Sequence, residues 1–264
     1  MKWFVRHNRL ITYGSYILVA VALVLAILNN FYTTLVAVAC AGFLILLTVI
    51  SVIAQNKAIK GAKEILESRC DPQEYLEVCG SLYKTNSKLP LRIINYCNAL
   101  TLSSLSNYKI VRKALEQIEK SHTAITSKYV EALFYVSLCD ISIHFDEFRN
   151  AEIYYKKAYT AYEGIKNEEQ INEIKDMLLI CLVELLINKG DFERAQRENN
   201  NIEEKSKRKK LQKLYLGAKI DLAQGNEEKA RASLEVVASN ANKLSLVEKA
   251  EILLGNAEVK DNEE

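Results

Sequence analysis

Three kinds of residue in this 264-residue chain have the chemistry to act on a substrate or hold an ion. They are the carboxylates Asp140 and Glu184, the histidines His7, His122 and His144, and six cysteines (Cys40, Cys70, Cys79, Cys97, Cys139, Cys181). Two carboxylates on one face could share general acid–base work, but neither is followed by a group that would converge with it on a substrate. The histidines are far apart in sequence, and His144 reads as a polar residue at a helix end. No cysteine pair has C-x-x-C spacing and no histidine lies at ligand distance from one, so the thiols read as small reduced hydrophobes in a reducing setting. Nucleophile-elbow, metalloprotease, phosphate-loop and dinucleotide motifs are all missing. The sequence therefore predicts no enzyme, no metal and no cofactor.

One charge feature stands out, the run "KSKRKKLQK" with Lys205, Lys207, Arg208, Lys209 and Lys210. It could touch a membrane surface or another anion, or it could be a solvated turn after the acidic "IEEK". A formal net charge of +2 and the lack of interleaved aromatics argue against nucleic acid.

The elements that position these residues divide the chain unevenly. No Asp, Glu, Lys or Arg occurs between Arg9 and Lys57, and this apolar run is interrupted by Asn29 and Asn30. One straight helix of that length would far exceed the ~30 Å hydrocarbon core, whereas two helices broken at the asparagines would each match it. The expectation is a basic segment over 1–9, transmembrane helices over 10–28 and 31–54, and a short outer turn between them. A signal peptide has a shorter apolar region, and a buried soluble hairpin would need both helices apolar on every face, which is what lipid exposure demands and a surface helix avoids. Lys2, Arg6 and Arg9 before the first span, with Lys57, Lys60 and Lys63 after the second, place both ends in the cytoplasm of a two-span cell-membrane protein. The lipid bilayer would then be one partner, through 10–54. Lys-, Asn-, Ile- and Tyr-rich usage points to a bacterium with an A/T-rich genome.

From Lys57 onward the pattern is one of successive amphipathic helices with short polar breaks, two prolines and no strand-like alternation. Asp71–Pro72 is a helix start with Asp as N-cap and Pro in the first turn, and Pro90 starts another. A period is present. Tyr108, Phe148, Phe192 and Glu227 are each followed three residues later by Val111, Ala151, Ala195 and Ala230. Four further on stand Leu115, Tyr155, Asn199 and Leu234, then Ile118, Ala158, Ile202 and Val237. Twelve residues before each small site lie Ala99, Cys139, Val183 and Ala218.

This set resembles the tetratricopeptide repeat over about residues 93–240. The copies depart from it in recurring every 35 to 44 residues and in lacking a closing proline. The expected fold is all-α: the two transmembrane helices read from the apolar run, then an irregular leading pair over 57–90, and, as the resemblance implies, a TPR-like α-solenoid with its capping helix over 91–258. It also implies a concave groove presenting Tyr96, Leu100, Leu133, Val136, Asp140, Met177, Ile180, Glu184, Tyr215 and Lys219. The carboxylate-clamp set of the family is not matched. A groove with two acids could accept an amphipathic helix bearing a basic residue, or its apolar residues could be only core. The functional expectation is a membrane-anchored scaffold that recruits a protein or peptide partner. Its alternatives are a solenoid sensor for a small peptide or lipid, and an accessory subunit of a membrane enzyme or transporter.

Overall fold

A computed structural model describes residues 14–22, 24, 27, 33–84, 90–120 and 127–261. The protein is all-α. Among the described residues eleven α-helices, one π-helical turn and one 3-10 turn pack in sequential pairs. They are α1 (Thr33–Glu64), the π-helical turn (Ile65–Arg69), α2 (Pro72–Lys84), α3 (Pro90–Ser103), the 3-10 turn (Leu105–Asn107), α4 (Tyr108–Lys120), α5 (Lys128–His144), α6 (Phe148–Tyr162), α7 (Glu168–Asn188), α8 (Phe192–Asn200), α9 (Lys207–Ala223), α10 (Glu227–Asn240) and α11 (Ser245–Asp261).

Local chemistry sets these boundaries. Asp71 caps α2 by accepting from Glu74 N at 2.9 Å, with Pro72 in the position where a missing N–H costs nothing. Helices α5, α7 and α9 each begin after a capping side chain: Ser127 accepts from Val130 N, Asn167 from Gln170 N and Ser206 from Lys209 N. Each of these helices also ends in the same kind of turn. Asp146, Gly190 and Gly225 take φ of 57°, 75° and 80°, and the next residue's N–H reaches back five residues, as in Glu147 N to Ser142 O at 2.8 Å and Asn226 N to Asp221 O at 2.8 Å. Glycine fits this left-handed turn at no steric cost, and aspartate tolerates it. Cap, helix, left-handed turn and second helix thus recur three times.

The periodic small residues lie where helices cross. Ala99, Cys139, Val183 and Ala218 on first helices, and Val111, Ala151, Ala195 and Ala230 on second helices, are all buried. Their small size lets backbones approach closely. Asn199, the poor match in its column, is also buried and donates to Lys213 O at 3.1 Å.

The chain closes on itself. Helix α11 packs back on α3 and on the 3-10 turn, and Glu248 Oε2 accepts from Leu105 N at 3.0 Å. The turn before α11 meets the start of the domain through Lys243 N to Cys70 O at 3.3 Å, Asn242 Nδ2 to Arg69 O at 3.0 Å and Lys243 Nζ to Asp71 Oδ2 at 2.8 Å.

The expectation of a two-span cell-membrane protein with a cytoplasmic repeat domain is overturned. Among the described residues no helix is long and apolar enough to cross a membrane. The expected span 31–54 is not a self-contained apolar unit, because α1 continues past positions 57 and 60 to Glu64. Its last turn packs on the helices that follow: Ala62 is buried in the core and Lys63 pairs with Glu173 at 3.0 Å. The bilayer contact expected through 10–54 loses its basis with the spans. Residues 1–9, the Asn29–Asn30 turn and, within 10–28, positions 10–13, 23, 25, 26 and 28 lie outside the described residues.

Candidate functional site

Closure leaves a cavity of about 360 Å³ inside the ring. Helix α5 contributes Leu133, Val136, Ser137 and Asp140, and α7 contributes Glu173, Met177, Ile180, Cys181 and Glu184. The spacing of three or four residues within each set places it on one helix face. Opposite stand Asn95, Asn98, Thr101 and Leu102 of α3, Tyr108 of α4, and Leu246 and Lys249 of α11, while Lys63, Leu66 and Glu67 come from the leading segment.

Six of the ten residues expected in a groove therefore line this cavity: Leu133, Val136, Asp140, Met177, Ile180 and Glu184. The other four do not. Tyr96 is half-buried on α3, and Leu100 packs into the core. Tyr215 is buried on α9, and Lys219 holds Glu184 in an ion pair while its ammonium lies 5.9 Å from the Tyr215 ring centre. Burial opposes the charge on Lys219, but Glu184 and Tyr215 outweigh it and raise its pKa. Glu184 is thus already neutralised from within the fold.

Asp140 is different. Tyr108 Oη donates to Asp140 Oδ2 at 3.2 Å and accepts from Lys249 Nζ at 3.2 Å, so one hydroxyl joins a carboxylate and an ammonium. The Lys249 ammonium also lies 5.4 Å from the centre of the Tyr108 ring, whose other neighbour is the stacked His144 ring at 3.8 Å. Lys249 is partly buried. Burial disfavours its charge, yet Tyr108, Asp140, Tyr215 and Glu184 raise its pKa on balance. Tyr108 is held above its usual range by burial and by Asp140. Lys249 therefore keeps its positive charge at neutral pH.

The basic run divides between surface and interior. It opens α9 rather than closing a helix. Lys205 pairs with Glu203 and, like Lys207 and Lys210, is exposed. Arg208 turns inward and grips Glu67 through Nε at 2.9 Å and Nη2 at 2.6 Å, and Lys209 pairs with Asp176. Burial would raise the Glu67 pKa, but Arg208, Ser206 and Lys209 lower it below its ordinary 4.5. A depressed carboxylate contributes stability above its unfolded pKa and loses it as pH falls through the folded value. Urea midpoints are therefore expected to fall on acidification below about pH 4.5, and Glu67→Gln should flatten part of that fall. An unchanged acid limb in the variant would show that Glu67 carries none of it.

Among the described residues no cluster of three or more His, Cys, Asp or Glu side chains could hold a metal. Cys97 sits in the core, where burial pushes its thiol up to about 11, and Cys139 and Cys181 are buried side by side in successive first helices. The Cys97 and Cys181 thiols, both raised, are disfavoured as thiolates and are poor nucleophiles. The Cys79 side chain, His7 and His122 lie outside the described residues. Sequence reasoning missed Lys249, Tyr108 and the asparagines as site residues. The Asn95–Asn98 pair, three apart on a helix, was a legible signal of a polar inner face, whereas nothing near Lys249 in sequence marks it. No protein family, curated protein or solved structure matches this chain.

Proposed function

We propose that the chain is a tetratricopeptide-like helical-repeat module whose task is recognition, and that it binds a small ligand or short peptide in the cavity inside its ring. The observation that carries this reading is the cavity itself, lined by the inner faces of consecutive first helices and bordered by α11. Its size of about 360 Å³ falls in the ~300–1,000 Å³ range of small-molecule sites. Apolar walls with a few convergent polar groups are the usual composition of such a site.

Recruitment of a protein partner is the second reading, and it draws on a different surface. Ile110 on α4 and Ile153 and Tyr159 on α6 are exposed on the second helices, away from the cavity. In that reading the ring is a scaffold whose outer face meets the partner.

Thermal-shift screening of the full chain against small metabolites and short peptides tests the cavity. A ligand at a hundred times its Kd adds about 2.7 kcal/mol to the stability of the state that binds it. Met177→Trp places bulk at a half-buried lining position and should abolish that rise while leaving the helical circular-dichroism signal intact. An equal rise in the variant would place the ligand elsewhere.

A further inference from the structure

The charges around the cavity are paired, with two exceptions. Arg208 holds Glu67, Lys63 holds Glu173 and Lys219 holds Glu184. Lys249 and Asp140 remain. The Lys249 ammonium has three donors, one of which goes to Tyr108 Oη, and among the described residues no carboxylate lies within ion-pair reach of it. Asp140 accepts from the same hydroxyl and has no cation in contact. The two opposite charges thus stand two hydrogen bonds apart, held from direct pairing by a neutral phenol. Half-satisfied charges inside a protein are costly, and a guest that supplies the missing partners recovers that cost.

We propose that the cavity binds a free α-amino acid with an apolar side chain, its carboxylate on Lys249 and its ammonium on Asp140. Three observations converge on that class. An α-amino acid carries its two charges on neighbouring atoms, matching a lysine and an aspartate separated by one hydroxyl. Its side chain would lie along the apolar wall of Leu133, Val136, Met177 and Ile180. The charge balance fits as well: Lys63, Arg208 and Lys249 line the cavity with Glu67, Asp140, Glu173 and Glu184, and Lys219 pairs with Glu184 from outside the lining, so a zwitterion leaves the site neutral. A simple acid or amine would leave one buried charge uncompensated.

The assignment rests on the cavity being the ligand site, and the test separates the two. Calorimetric titration of the full chain uses L-leucine, N-acetyl-L-leucine and L-leucinamide. Leucine is expected to bind, and each blocked derivative to bind at least about tenfold more weakly, since each loses a charge-assisted contact. Lys249→Met should reduce leucine affinity and remove the discrimination against leucinamide. The near-isosteric Asp140→Asn should do the same for N-acetyl-leucine. Derivatives that bind as well as leucine overturn the assignment, and so does a leucine affinity unmoved by both variants. If leucine does not bind but a screened compound gives a thermal shift that Met177→Trp abolishes, the cavity reading stands and the amino-acid assignment falls. If nothing binds, both fall.

Discussion

Phe134→Ala is expected to lower the stability of the fold by about 3–5 kcal/mol, the usual cost of deleting a buried phenylalanine. Phe134 is 1% exposed on α5 and is the largest of the fully buried side chains. It belongs to the core that joins α3 to α7. It meets Tyr135 edge-on with ring centres 5.3 Å apart, so truncation also removes an aromatic contact. The site is poorly able to collapse. Ala132, Cys139 and Ala151 nearby are already small and buried, and the crossing of α5 with α6 depends on them. Urea unfolding should show a lower midpoint with an unchanged slope. Ile153→Ala on the exposed face of α6 is the control, expected within about 0.5 kcal/mol of the parent. A loss below about 1 kcal/mol at Phe134 would mean that the α5–α6 pair does not pack as described.

The pair-by-pair architecture was readable because its determinants are local. Caps at Asp71, Ser127 and Asn167 and glycines at 190 and 225 act within one helix or one turn, and the small residues twelve apart act between two helices adjacent in sequence. The cavity was only half readable for the complementary reason. Leu133, Val136, Asp140, Met177, Ile180 and Glu184 follow from helical periodicity on α5 and α7. Lys249 and Glu67 arrive from opposite ends of the domain, and only closure of the ring brings them to the same wall. Whether Asp140 and Glu184 are equivalent is likewise a tertiary matter: Lys219, thirty-five residues after Glu184, neutralises one and leaves the other. The apolar run was misread because run length measures hydrophobicity and not where a helix ends. The same helix that carries the apolar residues continues to Glu64 and docks on the helices that follow.

Deleting residues 245–264, and with them α11, is expected to have the largest effect of all. Leu246 and Ala250 are buried, and Leu253 and Leu254 pack against the same core. At about 1.5–3 kcal/mol for each large apolar side chain fully buried, the loss is comparable with a typical domain stability of about 5–15 kcal/mol. Its distribution is the more informative measurement. In an open solenoid each unit touches only its neighbours, so removing the last helix loosens α10 and little else. In a closed ring α11 also supports the beginning of the domain, through Glu248 on Leu105 N and Lys249 on Tyr108. Amide hydrogen exchange should therefore rise in two separated places, α10 and the stretch from the 3-10 turn into α4, more than a hundred residues apart in sequence. Exchange that rises in α10 alone would show that the ring is open in solution. It would leave the cavity without its α11 wall, and Lys249 with no partner at Tyr108.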